Sequence, residues 1–295
     1  MSTQDAPNTP RKPVIALMGE FSAGKSTLAN LLICQGRSPV KVTATQRPPV
    51  WYVHGQGAPE VVDLRGEVTT ISEDQLDRVP VETTKYIKIS LDADILELFE
   101  IIDMPGNSDP NMSSDVWRRA VSYADGVIWC SHATQAWRQS EAAVWDEMPP
   151  SLYDTSILLL TRYDKLVTDS DRRRVEARVR KETTGLFREL FPISLINALE
   201  AGDDHQKWID SGANAFIECL LDMTSDIQMG RRPAPAQQAE PVQGTPALRA
   251  VPEPDTAQAE PSGVSAPGIA PRRIERKADR ARPRPRRPEA GSQAY

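Results

Sequence analysis

Cysteine is scarce in this chain. Only Cys34, Cys130 and Cys219 occur in 295 residues, far apart and without CxxC spacing. That excludes a disulfide framework and argues for free thiols in a reducing compartment. Histidine is equally rare, and His54, His132 and His205 have no ligand spacing, so none is a catalytic candidate. No apolar run approaches the roughly 18 residues of a membrane span. The opening MSTQDAPNTPRKP also lacks the apolar core of a secretory leader. A soluble, cytoplasmic protein is expected.

Beyond residue 230 Tyr295 alone is aromatic, apolar periodicity is lost and Pro becomes frequent. Such a segment cannot bury enough surface to offset its ordering entropy. The expected organisation is a disordered N-terminus over 1–12, a folded domain over 13–230 and a disordered, Pro-rich basic tail over 231–295. The tail carries 12 Lys+Arg against 7 Asp+Glu, so the overall net charge of −6 leaves −11 on residues 1–230. An acidic body argues against nucleic-acid binding. The basic tail is the place to look for an anionic partner, and its densest part, 271–290, holds nine Lys+Arg against three Asp+Glu.

What is present is a rhythm of short apolar runs: VIALM (14–18), VWYV (50–53), YIKI (86–89), LFEIID (98–103), GVIWCS (126–131), SILLLT (156–161) and PIS (192–194). Helical patterns lie between most of them, at 113–124, 140–148, 171–183 and 205–229. In the last, Ala213, Phe216, Ile217, Leu220 and Ile227 keep one apolar face. The basic run 171–182 reads as a solvated helix face over Val175 and Val179. Trp117, Trp129, Trp137 and Trp145 read as core or as a pairing surface. Strands alternating with helices predict an α/β fold, a doubly wound, mostly parallel sheet covered on both faces.

The first strand runs into GEFSAGKST (19–27), which contains GxxxxGK[ST]. Gly19 and Gly24 let backbone N–H groups of Glu20, Phe21, Ser22, Ala23 and Thr27's helix turn toward phosphate oxygens. Lys25 reaches the β and γ phosphates, and Ser26 ligates Mg²⁺. Downstream, Asp103 ends a strand in DMPG, where a carboxylate can hold Mg²⁺ through water and Gly106 can offer its N–H to a γ-phosphate. TRYD (161–164) follows a buried strand. Asp164 there can accept from both N1 and N2 of guanine, a donor pair that adenine lacks, which selects GTP over ATP. The usual string is [NT]KxD. Here Thr161 is kept and Arg162 replaces the Lys, an exchange that stacking over a purine face tolerates. Ser194, at a strand end, marks loop N–H groups for the guanine O6. Thr45 in TQRP is the candidate to close over Mg²⁺ and the attacking water, with Thr43 as its rival.

Taken in order, GEFSAGKST, TQRP, IIDMPG, HATQAWRQSE and TRYD resemble the dynamin-like large GTPases, especially the bacterial branch, over residues 12–229. The resemblance implies a P-loop GTPase domain that hydrolyses GTP to GDP with Mg²⁺. It also implies pairing of two such domains across their nucleotides, as a transient homodimer, and often work at a membrane. It assigns Ser22 the role of helping a monovalent cation, K⁺ or Na⁺, to replace an arginine finger. Two departures accompany it. Phe21 stands where animal members often carry Gln, and no stalk of long helices is expected after residue 230. Small switch GTPases place a water-orienting Gln after the DxxG glycine, and here that position is Asn107. Catalysis would then rest on Lys25, Ser22, Thr45 and Gly106. The alternatives are a nucleotide-gated interaction module with little hydrolysis and a P-loop kinase. The tail would touch an anionic membrane, placing the protein peripherally at its inner face, or a protein partner.

Overall fold

The computed structural model describes residues 11–33, 48–106 and 114–230. Cys34, Thr43, Thr45, Asn107, most of the N-terminal segment and the whole tail from 231 lie outside the described residues. Nine strands form one sheet: β1 (Val14–Gly19), β2 (Val50–His54), β3 (Glu60–Asp63), β4 (Val68–Thr70), β5 (Thr84–Leu91), β6 (Glu100–Asp103), β7 (Gly126–His132), β8 (Ser156–Thr161) and β9 (Glu189–Pro192). Their spatial order is β4-β3-β5-β2-β6-β1-β7-β8-β9. The helices are α1 (Lys25–Ile33), α2 (Ile95–Leu98), α3 (Ser114–Val121), α4 (Gln139–Trp145), α5 (Asp169–Glu182), α6 (Leu195–Leu199), α7 (His205–Asp210) and α8 (Ala213–Gln228).

The β1, β7 and β8 runs are apolar without alternation because helices cover both faces there, and every residue of β1 and β8 is buried. Odd and even positions feed two cores. Ile15 and Leu17 join α1, α6 and α8 residues such as Leu28, Leu195 and Phe216. Val14, Ala16 and Met18 join the other side, where Trp117, Trp129, Trp137, Trp145 and Val179 pack. All four tryptophans are core residues, with Trp129 and Trp145 fully buried and edge-to-face at 5.6 Å between centroids. Val179 is fully buried under the charged face of α5.

The sheet is mixed rather than uniformly parallel. β1–β6, β1–β7, β2–β5, β7–β8 and β8–β9 run parallel, whereas β2–β6, β3–β4 and β3–β5 are antiparallel. β3 and β4 lack an apolar run, and β4 is exposed along its length. Their pairing is decided by a turn in which Asp63 Oδ1 accepts the N–H groups of Arg65 and Glu67 at 2.8 Å. Three element bounds depart from periodicity. Leu98, the first residue of the LFEIID run, closes α2 instead of opening a strand, and the last strand ends on Pro192, the first residue of PIS. The expected helix 205–229 is broken into α7 and α8 at Gly212, whose φ is 85° and where a Cβ would lie 2.2 Å from the Pro192 carbonyl oxygen.

The open side of β9 is closed by side chains. The pairs Ile157↔Glu189 and Leu159↔Phe191, with Ile193 N–H bonded to the Leu160 carbonyl at 3.0 Å, turn alternate residues 189, 191 and 193 toward β8. Leu190 and Pro192 therefore face out. Leu190 N–H donates to Glu189 Oε1 (2.9 Å), Arg180 Nη2 donates to the Leu190 carbonyl (3.0 Å), and Arg180 Nη1 holds the same Glu189 oxygen (2.6 Å). Proline has no N–H to offer an incoming strand.

Candidate functional site

From β6 the chain crosses over β1 to β7, so the carboxyl end of β1 is a topological switch point, where such sheets open a crevice. The loop 20–24 fills it. Gly19 has φ 136°, and a Cβ there would sit 2.1 Å from the Cys130 carbonyl oxygen, so only glycine lets β1 end against β7. Ser22 adopts φ 61°, a conformation uncommon outside glycine. Lys25 opens α1 and is 6% exposed, and its Nζ donates to the carbonyls of Gly19 (2.9 Å) and Glu20 (2.8 Å). Thr27 follows, half-buried.

β6, beside β1, delivers Asp103 to the same end. Asp103 is 7% exposed, and its Oδ2 accepts from Ser26 Oγ at 3.3 Å. Its Oδ1 is buried and has no hydrogen-bond partner among the described residues. Burial pushes the Asp103 carboxyl up to about 6, against the opposing pull of the Lys25 charge and the Ser26 bond. Burial lowers the Lys25 ammonium, and Asp103 is the main group that raises it. An orphaned carboxylate oxygen beside a hydroxyl is a donor set that a hydrated hard cation would complete. Gly106 backs onto the loop so closely that a Cβ would lie 2.7 Å from the Phe21 N and Cα. Phe21 itself is 61% exposed.

β8 supplies the other wall. Thr161 Oγ1 donates to the Ala23 carbonyl at 2.7 Å, and Arg162, in the left-handed region at φ 53°, donates Nη2 to the Ser22 carbonyl at 2.8 Å. Asp164 Oδ1 accepts from Ser194 Oγ at 2.9 Å, while Lys165 Nζ stands 3.3 Å from Oδ2. Ser194 caps the N-terminus of α6, accepting from Asn197 N–H, so it is followed by three helices rather than one. Residues from positions 19–27, 103–106, 161–164 and 194 thus meet at one end of the sheet.

No family model matches the chain. A curated relative, dynamin-like protein 2 of Campylobacter jejuni, is 24% identical over 221 residues, covering 72% of this chain and 35% of the relative. The chain is similar to bacterial dynamin-like proteins. Two solved chains of an oligomerised bacterial dynamin pair, described as a mechanism for long-range sensing and tethering of membranes, superpose with TM-scores of 0.53 and 0.52. They are 19% and 22% identical, and each match covers 74% of this chain and 36% of the other. The chain therefore spans about a third of the length of these relatives, and the likeness in structure establishes the P-loop GTPase fold.

The segment after β7 in this dynamin-like fold contributes residues that spacing alone does not mark. Glu20, first in the loop, accepts from Ser140 Oγ at 2.6 Å and from Arg138 Nη1 at 3.2 Å, across 120 and 118 positions. Behind them Glu141 is 2% exposed. Its carboxylate takes Trp129 Nε1 (3.0 Å), Ser131 Oγ (3.0 Å) and Arg138 N–H (2.9 Å), while Ser131 Oγ accepts Trp137 N–H (2.9 Å). Burial raises the Glu141 carboxyl, and these hydrogen bonds oppose the shift. In the sequence this segment is marked by the HATQAWRQSE resemblance and by the R-x-x-E spacing of 138–141, and neither shows the contact with Glu20. The His132 imidazole is lowered by burial and by the charges of Arg162 and Arg138.

Proposed function

We propose that residues 13–230 form a dynamin-like GTPase domain that binds GTP and GDP with Mg²⁺ and hydrolyses GTP. The observation that carries this reading is the meeting of Lys25, Ser26 and Asp103 with Thr161, Arg162, Asp164 and Ser194 at the switch point. Lys25 and the loop N–H groups would hold the phosphates. Ser26 and Asp103 would hold Mg²⁺, which neutralises phosphate charge when bound. Asp164, set by Ser194, would read the guanine edge, with Arg162 along the purine face. Gly106 would meet the γ-phosphate. Thr45, with Ser22 and a monovalent cation, would position the water.

In this reading two domains pair transiently across their nucleotides, and the basic tail brings the protein to the inner face of an anionic membrane or to a protein assembly. Among the described residues no helix is long and apolar enough to cross a membrane, which fits peripheral attachment through charge. The second reading is a gated binder with little turnover. It is favoured by the exposed, apolar Phe21, which cannot orient a water.

Turnover per molecule, measured with GTP and ATP in K⁺ and Na⁺ buffers as protein concentration rises, separates them. Turnover specific for GTP that climbs with concentration is expected. Tight GTP binding without turnover under every condition would favour the gated binder, and equal use of ATP would overturn the guanine assignment.

A further inference from the structure

The loop 20–24 is held by two sets of hydrogen bonds. On the β8 side, Thr161 and Arg162 bind its carbonyls at Ala23 and Ser22. From the segment between β7 and β8 comes a second set of ties, in which the Glu20 side chain takes Ser140 and Arg138 at the start of α4. Glu20 is little exposed (19% of its side chain), and both of its oxygens are engaged, Oε1 by Ser140 and Oε2 by Arg138.

The α4 start is itself rigidly placed. The buried Glu141 ties Arg138 N–H to Ser131 and Trp129 of β7, and Trp137 holds the left-handed turn that aims the segment at the loop, with φ 53°. A carboxylate with two charge-assisted or hydroxyl donors on a fixed base is a strong, directional link. The Glu20 carbonyl at the foot of that link also receives Lys25 Nζ.

We infer that Ser140 and Arg138 are positioning residues which act through Glu20 to set the phosphate loop, so that displacement of the α4 start is transmitted to Phe21, Ser22 and Lys25. The proposal rests on the GTPase reading for its turnover arm alone.

The test uses the full chain with Arg138→Ala/Ser140→Ala, Glu20→Ala, and the combination of all three. Hydrogen exchange of the loop amides, read without nucleotide, is expected to quicken by about tenfold or more in the double variant, the ratio carried by a charge-assisted bond. Glu20→Ala should do the same, and the triple variant should go no further, because the three residues form one link. GTP turnover should fall mainly in kcat, with KM changed little, while Glu20→Gln, which keeps an acceptor for Ser140, restores part of it.

Unchanged loop exchange in a folded double variant would overturn the proposal, as would additive effects in the triple variant. Faster loop exchange with kcat intact in an active enzyme would overturn the positioning role. If the unmodified chain hydrolyses no GTP, the GTPase reading fails, and the exchange and additivity arms still decide this one. Should the double variant unfold, Ser140→Ala alone, which removes the 2.6 Å bond and leaves the charge pair, carries the same expectations at reduced size.

Discussion

The carboxyl ends of β1, β6 and β8 and the outer edge of β9 both present polar groups at a boundary of the sheet, yet they treat them oppositely. At the strand ends, Asp103 Oδ1 is buried without a partner among the described residues, Lys25 is desolvated, and Ser22 and Arg162 hold left-handed backbone. At the β9 edge, the outward N–H and C=O of Leu190 are both taken by the Arg180–Glu189 pair, and the next outward residue is Pro192. Groups left unmatched in a low-dielectric crevice cost stability and are kept where a ligand completes them. Groups matched at an edge keep other strands away. The contrast teaches which boundary invites a partner and which excludes one.

The largest expected effect breaks the first boundary. Lys25→Ala removes the point charge from the phosphate end, and GTP binding or turnover should be abolished in a protein that remains folded. Undiminished turnover of that variant would sink the GTPase assignment.

Gly19→Ala tests the same place through the backbone. Its Cβ would meet the Cys130 carbonyl oxygen at 2.1 Å with φ at 136°, so a loss of roughly 3 kcal/mol or more is expected in denaturant unfolding. By contrast Gly57, whose Cβ would meet nothing within 4 Å, should cost less on the same substitution.

Asp164→Asn should weaken GTP by about 2–3 kcal/mol, the scale of a charged hydrogen-bond pair, and shift preference toward a xanthine base. Isothermal titration with GTP and XTP checks it.

The Asp103 carboxyl supplies a pH test. Its folded value, raised to about 6, exceeds its ordinary 3.8, so the folded state binds the extra proton between those values. Stability without Mg²⁺ should then fall as pH rises through that window. Asp103→Asn should flatten this slope in urea unfolding series.

The smallest effect sharpens the second boundary. Arg180→Ala/Glu189→Ala removes an exposed pair worth at most about 1 kcal/mol. Sedimentation without nucleotide should nevertheless show more self-association than in the unmodified chain, because Leu190 is uncovered. No change would mean that the pair guards nothing.

The sequence by itself determined a great deal where chemistry demands a fixed local string. GEFSAGKST, DMPG and TRYD name their residues because the proposed phosphate loop, metal carboxylate and base reader would each need particular atoms within a few positions. The runs at β1, β7 and β8 are legible because strands buried on both faces must be apolar throughout. Only the tertiary structure decided the rest. β3 and β4 carry no apolar signal and exist because β5 offers an edge, and α7 parts from α8 because Pro192 lies against Gly212. Ser194 met Asp164, and Ser140 met Glu20, across 30 and 120 positions. Contacts of that span are set by how helices cross the sheet, and no periodicity along the chain encodes them.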